Sequence, residues 1–193
     1  GAITVIRISG PESIEICSRI FVPSDGSTRI KEQKGFRIIH GDITAGEEII
    51  DDVLLSLFRA PHSYTGEDSA EISCHSSPYI VKKILELLIS QGASSARPGE
   101  FTQRAFLNGR IDLSQAEAVA DVIASSTKAA HRVALSQMRG GFSAEIGKLR
   151  DELLKFASLI ELELDFGEED VKLADRNELR DIILRVMEMS DRL

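Results

Sequence analysis

Cysteine, proline and long apolar runs are scarce in this sequence, and each shortage narrows the reading. Two cysteines, Cys17 and Cys74, among 193 residues are too few for a disulfide scaffold, so the expected setting is a reducing cytoplasm. No apolar run approaches the ~18 residues of a membrane span, so the chain is not expected to cross a bilayer. Gly1 to Ser9 lacks the basic, apolar and small-residue pattern of a secretory signal, and the missing initiator Met suggests that the true N-terminus lies upstream. All five prolines (Pro11, Pro23, Pro61, Pro78, Pro98) fall in the first 98 residues. Because proline breaks helix interiors, the second half is expected to be mostly helical.

What is present fits a soluble globular chain: 42% hydrophobic and 28% charged residues, in a length suited to one large domain or two small ones. The net charge of -8 is uneven, with 14 acidic and 8 basic residues from Glu145 onward. An acidic tail repels phosphate backbones, so the chain by itself is a poor nucleic-acid clamp.

Patterning gives the organisation. Ala2 to Ser9 is a β-branched run with apolar residues on both faces, which reads as a buried strand ending at Gly10. Pro11 opens a short helix with Ile14, Cys17 and Phe21 inward. Lys31 to Lys34 is a polar connector, and Phe36 to Ile43 with Ile49 to Phe58 read as an antiparallel hairpin around Gly46. After a loop over 59–69, Ala70 to Cys74 is a short strand. Ser77-Pro78 then caps a helix running to Gln91, with Ile80, Ile84, Leu87 and Leu88 on one face. Strands alternating with helices predict an α+β fold, a mixed sheet with helices against it, over residues 1–110. An all-α domain over 111–193 follows. There Ser114 and Glu117 form a capping box for a helix with Val119, Ala120 and Ile123 inward. A long helix spans 128–164 with Leu149, Leu153, Phe156 and Ile160 in one stripe, and Gly140-Gly141 could kink or split it. Asp165 to Asp170 breaks that pattern, and Asp175 with Glu178 caps a last helix carrying Leu179, Ile182, Ile183, Val186 and Met189.

Several chemistries are excluded by spacing. The only Gly-Lys pair, Gly147-Lys148, has Phe142 where a phosphate-cradling loop needs its first glycine and Leu149 where it needs Ser or Thr. No G-x-G-x-x-G dinucleotide fingerprint occurs. Cys74-His75 is adjacent rather than at zinc-ligand spacing, and no G-x-S-x-G elbow supports Ser76 or Ser77 as a nucleophile.

Three charged residues sit oddly. Arg7 lies inside an apolar strand, where an unpaired guanidinium is expensive, so it must meet a carboxylate or an anionic ligand. Glu71 has the same problem in its own short strand, and could pair with Arg7 or accept two hydrogen bonds from the amidine-like edge of a heterocycle. On these residues alone a salt bridge in the core is favoured over a ligand site. Arg110 follows the Asn108-Gly109 helix stop, where a solvated C-terminal cation is the commoner role. Together the three sketch a pocket for a planar heterocycle with an acidic tail.

Three blocks carry a resemblance: Val5-Ile6-Arg7-Ile8-Ser9-Gly10; Ser63-Tyr64-Thr65-Gly66-Glu67-Asp68 with Glu71 and His75; and the long run from Arg97-Pro98-Gly99-Glu100-Phe101-Thr102 through Arg110 to Ala118. They resemble the N-terminal part of the tRNA modification GTPases of the MnmE (TrmE) family. The remainder, including Leu164-Asp165-Phe166 and Glu168-Glu169-Asp170, resembles the first portion of that family's helical domain.

The resemblance implies a folate-binding domain related to folate-dependent aminomethyltransferases, followed by a helical domain into which a Ras-like G domain is inserted. It implies a homodimer formed through the N-terminal domain, with folate sites at or near that interface. It further implies a flavin-dependent partner, MnmG (GidA), and a tetrahydrofolate derivative, 5-formyl or 5,10-methylene, supplying a one-carbon unit. The product is an aminomethyl-type (carboxymethylaminomethyl) group on the wobble uridine of tRNA. GTP, magnesium and potassium would be bound only by a G domain, which the chain lacks along with the family's C-terminal Cys motif and its opening strand. The family's folate-contacting positions fall on Arg7, Glu71 and Arg110, which shifts the expectation for them from a core ion pair to a ligand pocket. Ser76-Ser77 replaces a glycine pair common in the family, and Arg110 stands where Lys is common. The competing expectation is a dimerisation and scaffold module with no ligand of its own.

Overall fold

The computed structural model describes residues 1–26, 30, 35–166 and 176–190, with side chains for all of these except 162–166 and 176–179. The chain divides into two compact units, Gly1–Ile111 and Asp112–Leu193.

The first unit is built from β1 (Ile3–Ser9), α1 (Ser13–Ser18), β2 (Phe21–Pro23), β3 (Arg37–Ala45), β4 (Glu48–Phe58), β5 (Ser69–His75), α2 (Pro78–Ser90) and α3 (Glu100–Leu107). Its five strands form one sheet in the order β1-β5-β4-β3-β2. The α+β class stands, but the sheet is antiparallel at every described pairing rather than mixed.

Alternation along the strands decides which residues are buried. One row runs Ile6, Ile72, Leu55, Ile39 across four strands. Ile6, Ile72 and Leu55 are buried with Leu57, Val53 and Ile43, in a core shared with Ile14 and Cys17 of α1 and Ile84 and Leu88 of α2. The neighbouring rows point the other way. Val5, Ser73, Leu54 and His40 make one, and Arg7, Glu71, Ser56 and Ile38 the next. Among the described residues no helix covers their apolar members, and Ile3, Val5 and Ile38 are exposed at 69%, 54% and 69%. The expected burial of both faces of β1 therefore fails. β1 is an edge strand of a sheet covered on one side only, so a uniformly apolar strand has one buried face and one bare face.

Local chemistry explains most element ends. The β3–β4 hairpin turns at Gly46-Glu47, where Gly46 takes φ +68°, a conformation glycine adopts without steric cost. Phe21 is buried as expected, but from β2, because α1 stops at Ser18. Ser77 occupies the N-cap of α2 without a side-chain bond, so Pro78 at the first helical position supplies the start signal. α3 ends at Asn108 and Gly109, whose φ of +67° lets the Arg110 amide donate to the Ala105 carbonyl at 2.8 Å.

One glycine of β3 has no room for a side chain. A Cβ on Gly41 would collide with the Val22 carbonyl oxygen and lie 2.7 Å from the Phe21 ring and 2.9 Å from Pro23 Cα. Two of those three neighbours are backbone, so Gly41→Ala is expected to push β2 off β3 at a cost of roughly 1–3 kcal/mol, the range for overpacking. A lower urea midpoint at unchanged slope would show it, and an unchanged midpoint would refute it.

The second unit is helical: α4 (Leu113–Ala124), α5 (Lys128–Met138), α6 (Gly141–Phe166) and α7 (Arg176–Ser190). The helix expected over 128–164 is split, because Gly140 takes φ +81° between α5 and α6. The capping box lies two residues before its expected place. Asp112 Oδ1 accepts from the Gln115 amide at 2.8 Å, and Gln115 Oε1 accepts from the Asp112 amide at 3.0 Å. Asp112 Oδ2 also accepts from the Ser143 hydroxyl at 2.5 Å, and these bonds, the Ser143 bond most of all, hold its carboxyl below the usual range. α4 buries Ala118, leaves Val119 half-buried, and exposes Ala120 and the expected inward Ile123, the latter at 81%. α6 runs through Asp165 to Phe166, two residues into the expected break, the rest of which lies outside the described residues, and Leu153 and Ile160 of its stripe are 47% and 37% exposed. In α7, Ile182 is buried and Ile183 is not, and Arg185 reaches Glu152 of α6 at 3.2 Å. Glu168-Glu169-Asp170 and Asp175 lie outside the described residues.

Candidate functional site

Arg7 and Glu71 face each other directly across β1 and β5. Arg7 donates from Nε to Glu71 Oε1 at 2.7 Å, and its Nη2 lies 2.6 Å from the same oxygen. The side chains are 41% and 25% exposed, on the bare face of the sheet. A salt bridge in the core is therefore not what these residues make. Their pair is half wet, and exposed pairs of this kind contribute only about 0–1 kcal/mol to stability. Both bonds converge on one carboxylate oxygen. Glu71 Oε2 and Arg7 Nη1 keep no hydrogen-bond partner among the described residues, which leaves an acceptor and a donor side by side.

Two aromatic rings flank the cation. The guanidinium carbon of Arg7 lies 5.4 Å from the centroid of the Tyr64 ring and 5.7 Å from that of Phe101. Both are within cation–π range. Tyr64 comes from the loop over 59–68 and Phe101 from the first turn of α3, and the Tyr64 hydroxyl bonds Thr102 at 2.9 Å.

The loop is tied down at many points. Asp68 takes Arg59 Nη1 at 2.7 Å and the Ala60 amide at 2.8 Å, while its carbonyl accepts from Ser13 Oγ at 2.7 Å and the Gly10 amide at 2.9 Å. Ser9 Oγ sits 2.6 Å from Thr65 Oγ1 and donates to Glu67 Oε2 at 3.0 Å. Arg104 lies 3.3 Å from Glu67 and 2.8 Å from Glu100, and Glu100 also accepts from the Arg97 amide at 2.8 Å. That amide bond, and then the Arg104 bond, hold the Glu100 carboxyl below its ordinary range.

A cavity of about 310 Å³ opens beside this network. Its walls combine Arg7, Ser9, Arg104 and Phe101 with the apolar Ile6 and Leu88. Apolar walls with a few convergent polar groups are the usual make-up of a small-molecule site.

Arg7 and Glu71 are thus brought together, and of the two only Arg7 lines the cavity. Arg110 stands apart from them: its side-chain stem packs on Gly66, where an added Cβ would lie 3.0 Å from Arg110 Cγ. Arg110 is exposed, does not line the cavity, and makes no hydrogen bond to the other two among the described residues. Tyr64, Phe101 and Arg104 belong to the site without having been singled out from the sequence. The Glu100 to Arg104 spacing of four was a readable helical ion pair, whereas stacking on Arg7 joins three separate elements and leaves no local signal.

Fold and site together define an α+β module with a charged pair and a mixed cavity at its edge strand, followed in the chain by a helical module. A family model described as "GTP-binding protein TrmE N-terminus" matches residues 1–110, and one described as "MnmE helical domain" matches residues 113–193. The chain belongs to the MnmE (TrmE) family. It is similar to proteins named tRNA modification GTPase MnmE from Bacteroides thetaiotaomicron, at 60% identity over all of this chain, and from Bacteroides fragilis, at 61%. Another such relative, from Flavobacterium psychrophilum, is 56% identical over 96% of the chain. The chain spans 42% of the length of the two Bacteroides relatives and 40% of the third. Among the described residues no helix is long and apolar enough to cross a membrane.

Proposed function

We propose that this chain is the folate-binding and homodimerising part of a cytoplasmic tRNA modification GTPase. With a flavin-dependent partner, MnmG, that enzyme forms the carboxymethylaminomethyl group on wobble uridine. The one-carbon unit comes from a tetrahydrofolate derivative, and GTP, magnesium and potassium belong to a G domain outside these residues. The observation that carries this reading is the half-exposed Arg7–Glu71 pair, with one unengaged carboxylate oxygen and two flanking aromatic rings, beside a cavity of about 310 Å³.

The residues fit a reduced folate. Glu71 Oε2 is an open acceptor for the N–H groups of the pterin amidine edge, Arg7 on the other oxygen orients that carboxylate, and Arg110, which stands apart from the pair, is the cation left for the benzoyl-glutamate tail. A second copy of the chain supplies cover for the bare sheet face, where Ile3, Val5, Ile38 and Leu54 are 69%, 54%, 69% and 45% exposed. The competing scaffold reading draws on the same pair, since Arg7 and Glu71 already neutralise one another.

Isothermal titration with 5-formyltetrahydrofolate, beside sedimentation of the same sample, separates the two. One folate per chain in a dimer is the expected result. A folded dimer that takes up no folate would leave the scaffold reading in place, and a monomer would remove the dimer from both.

A further inference from the structure

Arg104 makes no hydrogen bond or ion pair to Arg7 or Glu71, yet it closes the one charged link between the loop over 59–68 and α3 among the described residues. Its guanidinium is forked. Nη1 reaches the two Glu67 oxygens at 3.4 and 3.3 Å, while Nε and Nη2 take Glu100 Oε1 at 3.2 and 2.8 Å. Each carboxylate is anchored a second time, Glu67 by the Ser9 hydroxyl of β1 on Oε2 and Glu100 by the Arg97 amide on its other oxygen. The chain of contacts therefore runs from β1 through the loop to the first turn of α3. Those are the three elements that carry Arg7, Tyr64 and Phe101. The Tyr64 and Thr102 hydroxyls and the bond from Asn108 Nδ2 to the Thr65 carbonyl at 2.7 Å join the same two elements, but with neutral groups.

We propose that Arg104 is a positioning residue for the Arg7 side of the site: bridging Glu67 and Glu100, it holds Tyr64 and Phe101 against the Arg7 guanidinium. The proposal rests on the folate reading for what the site binds, but not for what Arg104 does to the loop. An arginine with five donors in a fixed plane can serve two carboxylates at once, whereas a lysine presents a single point charge. Supporting partners of this kind decide whether a binding group is held in its productive geometry.

The sequence supplies the means of testing this without any ligand. It contains no tryptophan and two tyrosines, Tyr64 in the loop and Tyr79 on α2. In the full chain carrying Tyr79→Phe, the near-ultraviolet tyrosine circular dichroism reports Tyr64 alone. Adding Arg104→Gln is expected to take that signal towards the unfolded value with the far-ultraviolet spectrum unchanged. Adding Arg104→Lys is expected to retain part of it. Titration of the same proteins with 5-formyltetrahydrofolate is expected to show binding roughly tenfold weaker for Arg104→Gln, at the lower end of the loss seen when a ligating group's supporting partner is removed. A Tyr64 signal that survives Arg104→Gln overturns the proposal whatever happens to binding. Loss of the signal in a protein whose Tyr79→Phe parent takes up no folate upholds the positioning and removes the folate reading instead. Should Arg104→Gln fail to fold, Glu67→Gln weakens the same bridge from its other end, leaves the Arg104–Glu100 pair, and is read by the same signal.

Discussion

Arg7→Ala is expected to weaken 5-formyltetrahydrofolate binding by about 100-fold, close to 2.7 kcal/mol, while changing the stability of the chain by less than about 1 kcal/mol. The two effects separate because the pair lies on the surface. Its 41% and 25% exposure lets water take over much of what each charge loses when its partner goes. Binding has no such substitute: without Arg7, the Glu71 carboxylate loses the partner that orients it toward the ligand. Titration beside urea unfolding of the same variant reads both quantities. A loss of ~3–5 kcal/mol in stability, the signature of a broken buried pair, would mean that Arg7 holds the fold together rather than the ligand.

Leu55→Ala is expected to be the most damaging single truncation in the α+β unit, at about 3–5 kcal/mol. Leu55 is fully buried on β4, the central strand of the five, between Ile72 of β5 and Ile39 of β3, in the core shared with α1 and α2. The cavity left behind adds to the lost transfer energy. The same change at Leu54, one residue earlier on the bare face and 45% exposed, is expected to cost far less. Urea midpoints for the two variants measure the contrast, and equal losses would mean that the sheet is covered on both faces.

That contrast also marks what could be read from the sequence. Strand positions were legible wherever β-branched runs met turn residues: the hairpin around Gly46 and the strand at Ala70 to Cys74 fall where expected, within a residue or two at their ends. Which faces would be covered was not legible. Ile3 and Val5 look like core residues because a β-branched run reads the same whether one of its faces is covered or both are. In the helical unit the helix start was two residues off. Ser114 and Glu117 satisfy the capping-box spacing as well as Asp112 and Gln115 do, and the Ser143 bond to Asp112 comes from 31 residues away, where local spacing carries no signal. Helix division at Gly140 was legible because a glycine pair interrupts an otherwise unbroken pattern. At the site, Arg7 and Glu71 stood out because each is a charge inside an apolar strand. The rings around Arg7 did not, since Tyr64 and Phe101 are ordinary residues until the loop and α3 meet.

The two thiols carry a practical corollary. Cys17 and Cys74 are 0% and 2% exposed, and burial pushes the Cys17 thiol up to about 12 and raises that of Cys74 as well. Neither presents a thiolate at neutral pH, so the folded protein is nearly blind to alkylating reagents. A cysteine introduced at Ser94 or Ser95, exposed at the rim of the cavity, would then be the one reactive sulfur in the chain. The protein is in effect already a cysteine-light background, open to a fluorophore, a spin label or a crosslinker placed a few ångströms from the site.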